Sequence, residues 1–182
     1  DIITFQKDGT MKVVKVEPKT FIGKNIVHVA VWKKNDKRTV YNMIYREGRE
    51  GPYYMKRFSV TGVTRNTDYK LASDKKGSEM LYFTANPNGE AESVSVLLKP
   101  NARVRKNKID IDFSDLAIKG RDSKGNLVTK YAVKKVDMKE EPVPGVANSV
   151  RLTFYIDKGK KVRINSINFT DNYSVQDQRL KK

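Results

Sequence analysis

Gly120 and Gly125 stand five residues apart in "AIKGRDSKGNLVTKYAVKKV" (117–136), the G-x-x-x-x-G spacing of a phosphate-cradling loop. Such a loop needs Lys and then Ser or Thr next, followed by a helix. Here Asn126 and Leu127 follow, and a strand pattern continues, so no nucleotide loop is expected. "DIDFSD" puts Asp110 and Asp112 on one strand face with Asp115 close by, but a calcium loop needs a denser D-x-D-x-D-G and a distal Glu. A solvated strand face is the expectation there. His28, the only histidine, sits between Val27 and Val29 and reads as a structural imidazole. With one His and no Cys, neither a Ser-His-Asp set nor a zinc site has the material it needs. Trp32, Tyr53 and Tyr54 have faces that can stack on bases, although strand alternation favours packing inside sheets.

The residues that remain with chemistry to offer are cations. Lys119, Arg121, Lys124 and Lys130 lie on the glycine-bearing stretch, with Lys134 just beyond it. Glycines there let phosphates approach closely, and free backbone N–H groups add donors. Lys56, Arg57 and Arg65 form a second group, near the hydroxyls of Ser59, Thr61 and Thr64. Arg103, Arg105, Lys106 and Lys108 form a third. The 182 residues carry 37 Lys/Arg against 21 Asp/Glu, a net charge of +16. Residues 1–100 contribute +7 and residues 101–182 contribute +9, so the excess is not confined to a tail. A field of that sign attracts polyanions, nucleic acid foremost. A protein-interaction module with a merely solubilising surface, or a single-stranded DNA or RNA binder, are the other classes the composition allows.

The elements that would hold these groups are strands. Helical periodicity is scarce and alternation common. "DIITFQKDGTMKVVKV" reads as strand, Asp8-Gly9 turn, strand. Similar turns are expected at Gly48/Gly51, Asn88-Gly89, Gly125 and Gly159. Taken at 9, 51, 89, 125 and 159, they recur every 42, 38, 36 and 34 residues. A period near 40 with several short strands per unit signals blades arranged in a ring, about four here, closed, open or partial. In "YYMKRFSV", Lys56 shares a face with Tyr54 and Phe58, and Arg57 with Met55 and Ser59. The apolar residues are expected to point inward and the cations to form an outer rim. "DMKEEPVPGVANS" (137–149) reads as a linker within a domain of residues 1–169, and residues 170–182 as a polar tail. The chain opens at Asp1 inside a strand-like pattern and reads as a piece of a longer protein. No apolar run reaches the roughly 18 residues of a membrane span, and a cytoplasmic setting without a membrane partner is expected.

Three stretches, "FIGKNIVHVAVWKKNDKRTVYNMIYREGREGPYYMKRFSVTGVTR", "LYFTANPNGEAESVSVLLKPN" and "IDFSDLAIKGRDSKGNLVTKYAVKKV", resemble the C-terminal DNA-binding domain of bacterial type IIA topoisomerase A subunits. The likeness is strongest to topoisomerase IV or gyrase A subunits of the Bacteroidetes type and covers residues 1–137. It implies an all-β β-pinwheel, a propeller-like ring whose strands cross between blades and whose basic edge holds duplex DNA. It also implies no catalytic residue and no cofactor in this domain. ATP and Mg²⁺ would be used elsewhere, by the breakage-reunion part of the same subunit and the ATPase B subunit. Gyrases carry a Gln-Arg-Arg-Gly-Gly-(Lys/Arg)-Gly pattern associated with tight wrapping. Lys119 to Gly125 lack its Gln and paired glycines and add Asp122, which points toward positioning DNA more than wrapping it.

Overall fold

The structure, a computed structural model, describes residues 1–139, 141–142, 150–151 and 154–156. Among them are strands, turns and one 3-10 turn, with no α-helix. The first strands are β1 (Ile2–Gln6), β2 (Thr10–Val14), β3 (Ile26–Val31), β4 (Val40–Arg46), β5 (Tyr53–Ser59) and β6 (Asp68–Lys70). Next come β7 (Glu79–Asn86), β8 (Glu90–Leu98), β9 (Lys108–Asp112), β10 (Ile118–Gly120) and β11 (Asn126–Thr129). The last are β12 (Val133–Met138), β13 (Glu141–Pro142), β14 (Val150–Arg151) and β15 (Phe154–Ile156).

Three sheets carry the fold. The first runs β3-β1-β2-β6; the second runs β10-β5-β4-β7, with β11 also on β5; the third runs β12-β8-β15, with β9 also on β8. The β1–β2 turn is the expected Asp8-Gly9 hairpin: Gly9 has φ +78°, and Asp8 accepts from the N–H and hydroxyl of Thr10. Between β4 and β5 the left-handed glycine is Gly48, at φ +70°. Gly51 is needed for space, because a Cβ there would collide with the carbonyl of Glu47.

Two expected hairpins are corrected. Strands β7 and β8 do not pair: β7 lies on β4 while β8 takes β9, β12 and β15, so Asn88-Gly89 is a crossing from one sheet to the next. Nor do the strands flanking Gly125 pair with each other. Strand β10 runs parallel to β5 along Arg57–Ser59, and β11 runs antiparallel to it along Tyr53–Met55. A stretch that follows third-sheet strands is thus laced onto the second sheet, and the chain returns to the third at β12. Local alternation is the same in either pairing, and only tertiary packing chooses between them. Asp137 and Met138, expected in a linker, end β12, and Glu141–Pro142 pairs with Val150–Arg151. The expected fifth turn at Gly159 and the tail 170–182 lie outside the described residues.

Two cores explain the layering. Ile3, Phe5, Met11 and Val13 of the first sheet pack with Tyr41, Met43, Tyr45 and Phe58 of the second. Ile44 and Tyr53 of the second sheet pack with Val94, Val96, Ile111, Phe113 and Val133. The middle sheet is therefore covered on both faces, and six of the seven residues of β4 are buried. Successive β4 side chains feed opposite cores, as strand geometry requires. Trp32 is buried and donates its indole N–H to the carbonyl of Val60 (3.1 Å), and His28 packs between Phe5 and Phe83. Burial lowers the His28 pKa, as suits a neutral structural imidazole.

Candidate nucleic-acid interface

Strand β8 ends at Leu98 where β9 and β12 begin, since both run antiparallel to it. Leu98 N–H donates to Asn107 O (2.7 Å), and Lys99 N–H donates to Ala132 O (2.8 Å). The loop 99–107 and the turn 130–132 are thereby held together at one end of the third sheet. Lys99, Arg103, Arg105, Lys106, Lys108, Lys130, Lys134 and Lys135 are all exposed there. No Asp or Glu occurs in 99–109 or 129–136. Lys108 and Lys135 meet carboxylates further along their strands, Asp110 (3.4 Å) and Asp137 (2.5 Å). The others have no ion pair among the described residues. Tyr131 stands exposed among them. Two groups that are far apart in sequence thus become one basic face.

The glycine loop forms a second locus. Lys56, on β5, is only 2% exposed, and its ammonium donates to the carbonyls of Leu71 (2.6 Å), Arg121 (2.7 Å) and Ser123 (3.0 Å). It also lies over the rings of Phe58 and Tyr45. Tyr45 donates its hydroxyl to Lys124 O (2.7 Å). Gly125, at φ +86°, passes so close to β5 that a Cβ would collide with the carbonyl of Met55. The loop 121–125 is therefore pinned to β5 through its backbone, which leaves Lys119 and Lys124 exposed. Lys124 reaches Glu47 (3.1 Å) and lies over the Tyr54 ring (4.5 Å). Arg121 is more enclosed: it donates to Gly62 O (2.7 Å) and covers Tyr69 (4.4 Å).

Lys56 and Arg57 are corrected as outward-facing cations. Arg57 is 3% exposed and donates to Gly89 O (2.6 Å). Alternation around them is as expected, but both faces of β5 are covered, one by the first core and the glycine loop, the other by the Gly89 crossing. No phosphate can reach either group in this arrangement. Arg65 is exposed and its Nε pairs with Asp1 (2.9 Å). Asp110 accepts from Ser95, and Asp112 caps the 3-10 turn Phe113–Asp115 by accepting from Ser114. Among the described residues no group of His, Cys, Asp or Glu is arranged to hold a metal, and no helix is long and apolar enough to cross a membrane.

A basic cluster not singled out from sequence sits on the β3–β4 turn: Lys33, Lys34, Lys37 and Arg38 are exposed. Its signal was the run "KKNDKR" around an Asn-Asp turn. Asn35 takes φ +62°, and Asp36 accepts from the N–H of Arg38 (2.9 Å) and the hydroxyl of Thr39 (2.7 Å).

A family model described as topoisomerase C-terminal domain, Bacteroidota, matches residues 1–141. No curated protein and no solved structure matches the chain.

Proposed function

Because the chain belongs to the topoisomerase C-terminal domain family of Bacteroidota, we propose that it binds duplex DNA with little sequence preference and positions a segment for strand passage by a type IIA enzyme. The observation that carries this reading is the end of the third sheet. Eight exposed cations from two chain segments free of Asp and Glu converge there, and six of them have no ion pair among the described residues. A surface of that kind neutralises phosphates and releases their counterions. The described residues include no α-helix to insert into a major groove, so in this reading the surface recognises backbone and not bases.

In this reading the domain does no chemistry of its own and needs no cofactor. The breakage-reunion part of the same A subunit and the ATPase B subunit cut, pass and reseal DNA. Asp122 beside Arg121 and the lack of paired glycines between Lys119 and Gly125 favour a topoisomerase IV-like role, in which a segment is held without strong wrapping. Fluorescence anisotropy with duplex, single-stranded and RNA probes at several salt concentrations tests it. Duplex should bind best, with a log–log salt slope near −4 to −5 for about five neutralised phosphates. Equal or tighter single-strand binding would instead assign Tyr131 and its basic neighbours to base stacking. Affinity indifferent to salt would refute both.

A further inference from the structure

The turn carrying Lys33, Lys34, Lys37 and Arg38 is fixed to the start of β8. Arg38 donates to the side-chain oxygen of Asn88 (2.6 Å), and Asn88 bonds the Glu90 carboxylate with its N–H (2.9 Å) and its side-chain amide (3.0 Å). Lys33, Lys34 and Arg38 line an open cleft of about 690 Å³ with Pro87 and Asn88. The single acid of the turn, Asp36, is occupied by the backbone and hydroxyl bonds that shape it. Four exposed cations thus stand at the Glu90 end of β8. The basic face described above stands at its Leu98 end.

Strand β8 is nine residues long, bonded by β9 and β12 over Ser93–Leu98 and by β15 over Glu90–Glu92. At about 3.4 Å per residue it holds the two clusters roughly 27 Å apart. Duplex DNA advances about 3.4 Å per base pair, so that separation corresponds to about 8 base pairs. We propose that the Lys33–Arg38 turn is a second phosphate-binding site and that β8 is a rigid spacer between it and the basic face. One duplex then engages both only when it is longer than about 8 base pairs. The inference rests on the duplex-binding reading and adds to it a site and a length requirement. Linking two weak sites on one ligand raises affinity steeply once the ligand can span them.

The test uses the full chain and blunt duplexes of 6, 8, 12, 16 and 24 base pairs in anisotropy titrations. Wild type should show a step in affinity of at least tenfold between 6 and 16 base pairs. The variant Lys33→Ala/Lys34→Ala/Lys37→Ala/Arg38→Ala should lose that step, and its salt slope on 24 base pairs should fall by about 3. A control with the same loss of charge, Lys7→Ala/Lys15→Ala/Lys24→Ala/Lys76→Ala, should keep the step. Circular dichroism of each variant separates misfolding from lost contacts. Equal loss on 6 and 24 base pairs, or a step that survives the turn variant, would overturn the spacer while leaving duplex binding intact. No binding of any duplex by wild type would instead overturn the underlying reading.

Discussion

The ammonium of Lys56 lies 2.7 Å from the carbonyl oxygen of Arg121, a bond that ties β5 to the loop 121–125, which carries Lys124 and follows Lys119 of β10. The two residues are 65 positions apart. A cation expected on an outer rim is instead an internal fastening for a loop whose neighbouring lysines are exposed.

That fastening has a pH signature. Burial, partly countered by Asp122, lowers the Lys56 pKa from 10.5 to about 8. Between those values the unfolded chain holds a proton that the folded chain has released. Stability contributed by this group therefore rises with pH from about 8 to 10.5 and is lost as pH falls through 8. Over the full window the effect is on the order of 3 kcal/mol. Urea unfolding of wild type and Lys56→Met at pH 7.5, 9 and 10.5 should show the wild type gaining on the variant as pH rises. A constant difference would mean that Lys56 titrates normally.

The two loop glycines should behave oppositely. Gly125→Ala forces a Cβ against Met55 O at φ +86° and should cost about 2 kcal/mol or more. Gly120 has open space around it and an ordinary φ, so Gly120→Ala should be neutral or stabilising by up to about 1 kcal/mol. Thermal or denaturant unfolding of the pair decides this, and similar effects at both sites would contradict the pinned-loop geometry.

Removing the Tyr45 hydroxyl deletes one buried bond, to Lys124 O, without changing charge. Tyr45→Phe should lower stability by about 0.5–1.5 kcal/mol. Burial and the nearby Glu47 push the Tyr45 hydroxyl from 10 up to about 12, so this loss should be constant between about pH 6 and 9 and shrink as pH rises through 10, where the unfolded hydroxyl ionises.

At the third-sheet end, Arg103→Ala/Arg105→Ala/Lys106→Ala should weaken duplex binding about equally across sequences and reduce the salt slope by roughly 2 to 3. The matching change at buried Arg57 is expected to act through stability instead, because its guanidinium is held at the Gly89 crossing. Comparing binding with unfolding for the two variants separates surface contact from internal support.

From the sequence alone came the all-β class, the Asp8-Gly9 hairpin, the structural readings of His28 and Trp32, the resemblance to topoisomerase C-terminal domains and the basic character of the surface. Each depends on local pattern or on summed charge, which survive without knowledge of neighbours. The tertiary structure decided which strands pair and which cations face water. Alternation shows that Lys56 and Arg57 lie on opposite faces of β5, but it carries no information on whether a face is covered, and here both are. It marks strands either side of Gly125, yet their partner is β5, reached across some 60 to 75 residues of chain. The meeting of 99–108 with 130–135 likewise follows from β9 and β12 both pairing with β8. Such non-local pairings are selected by burial of two cores at once, an energy that no short window of sequence contains.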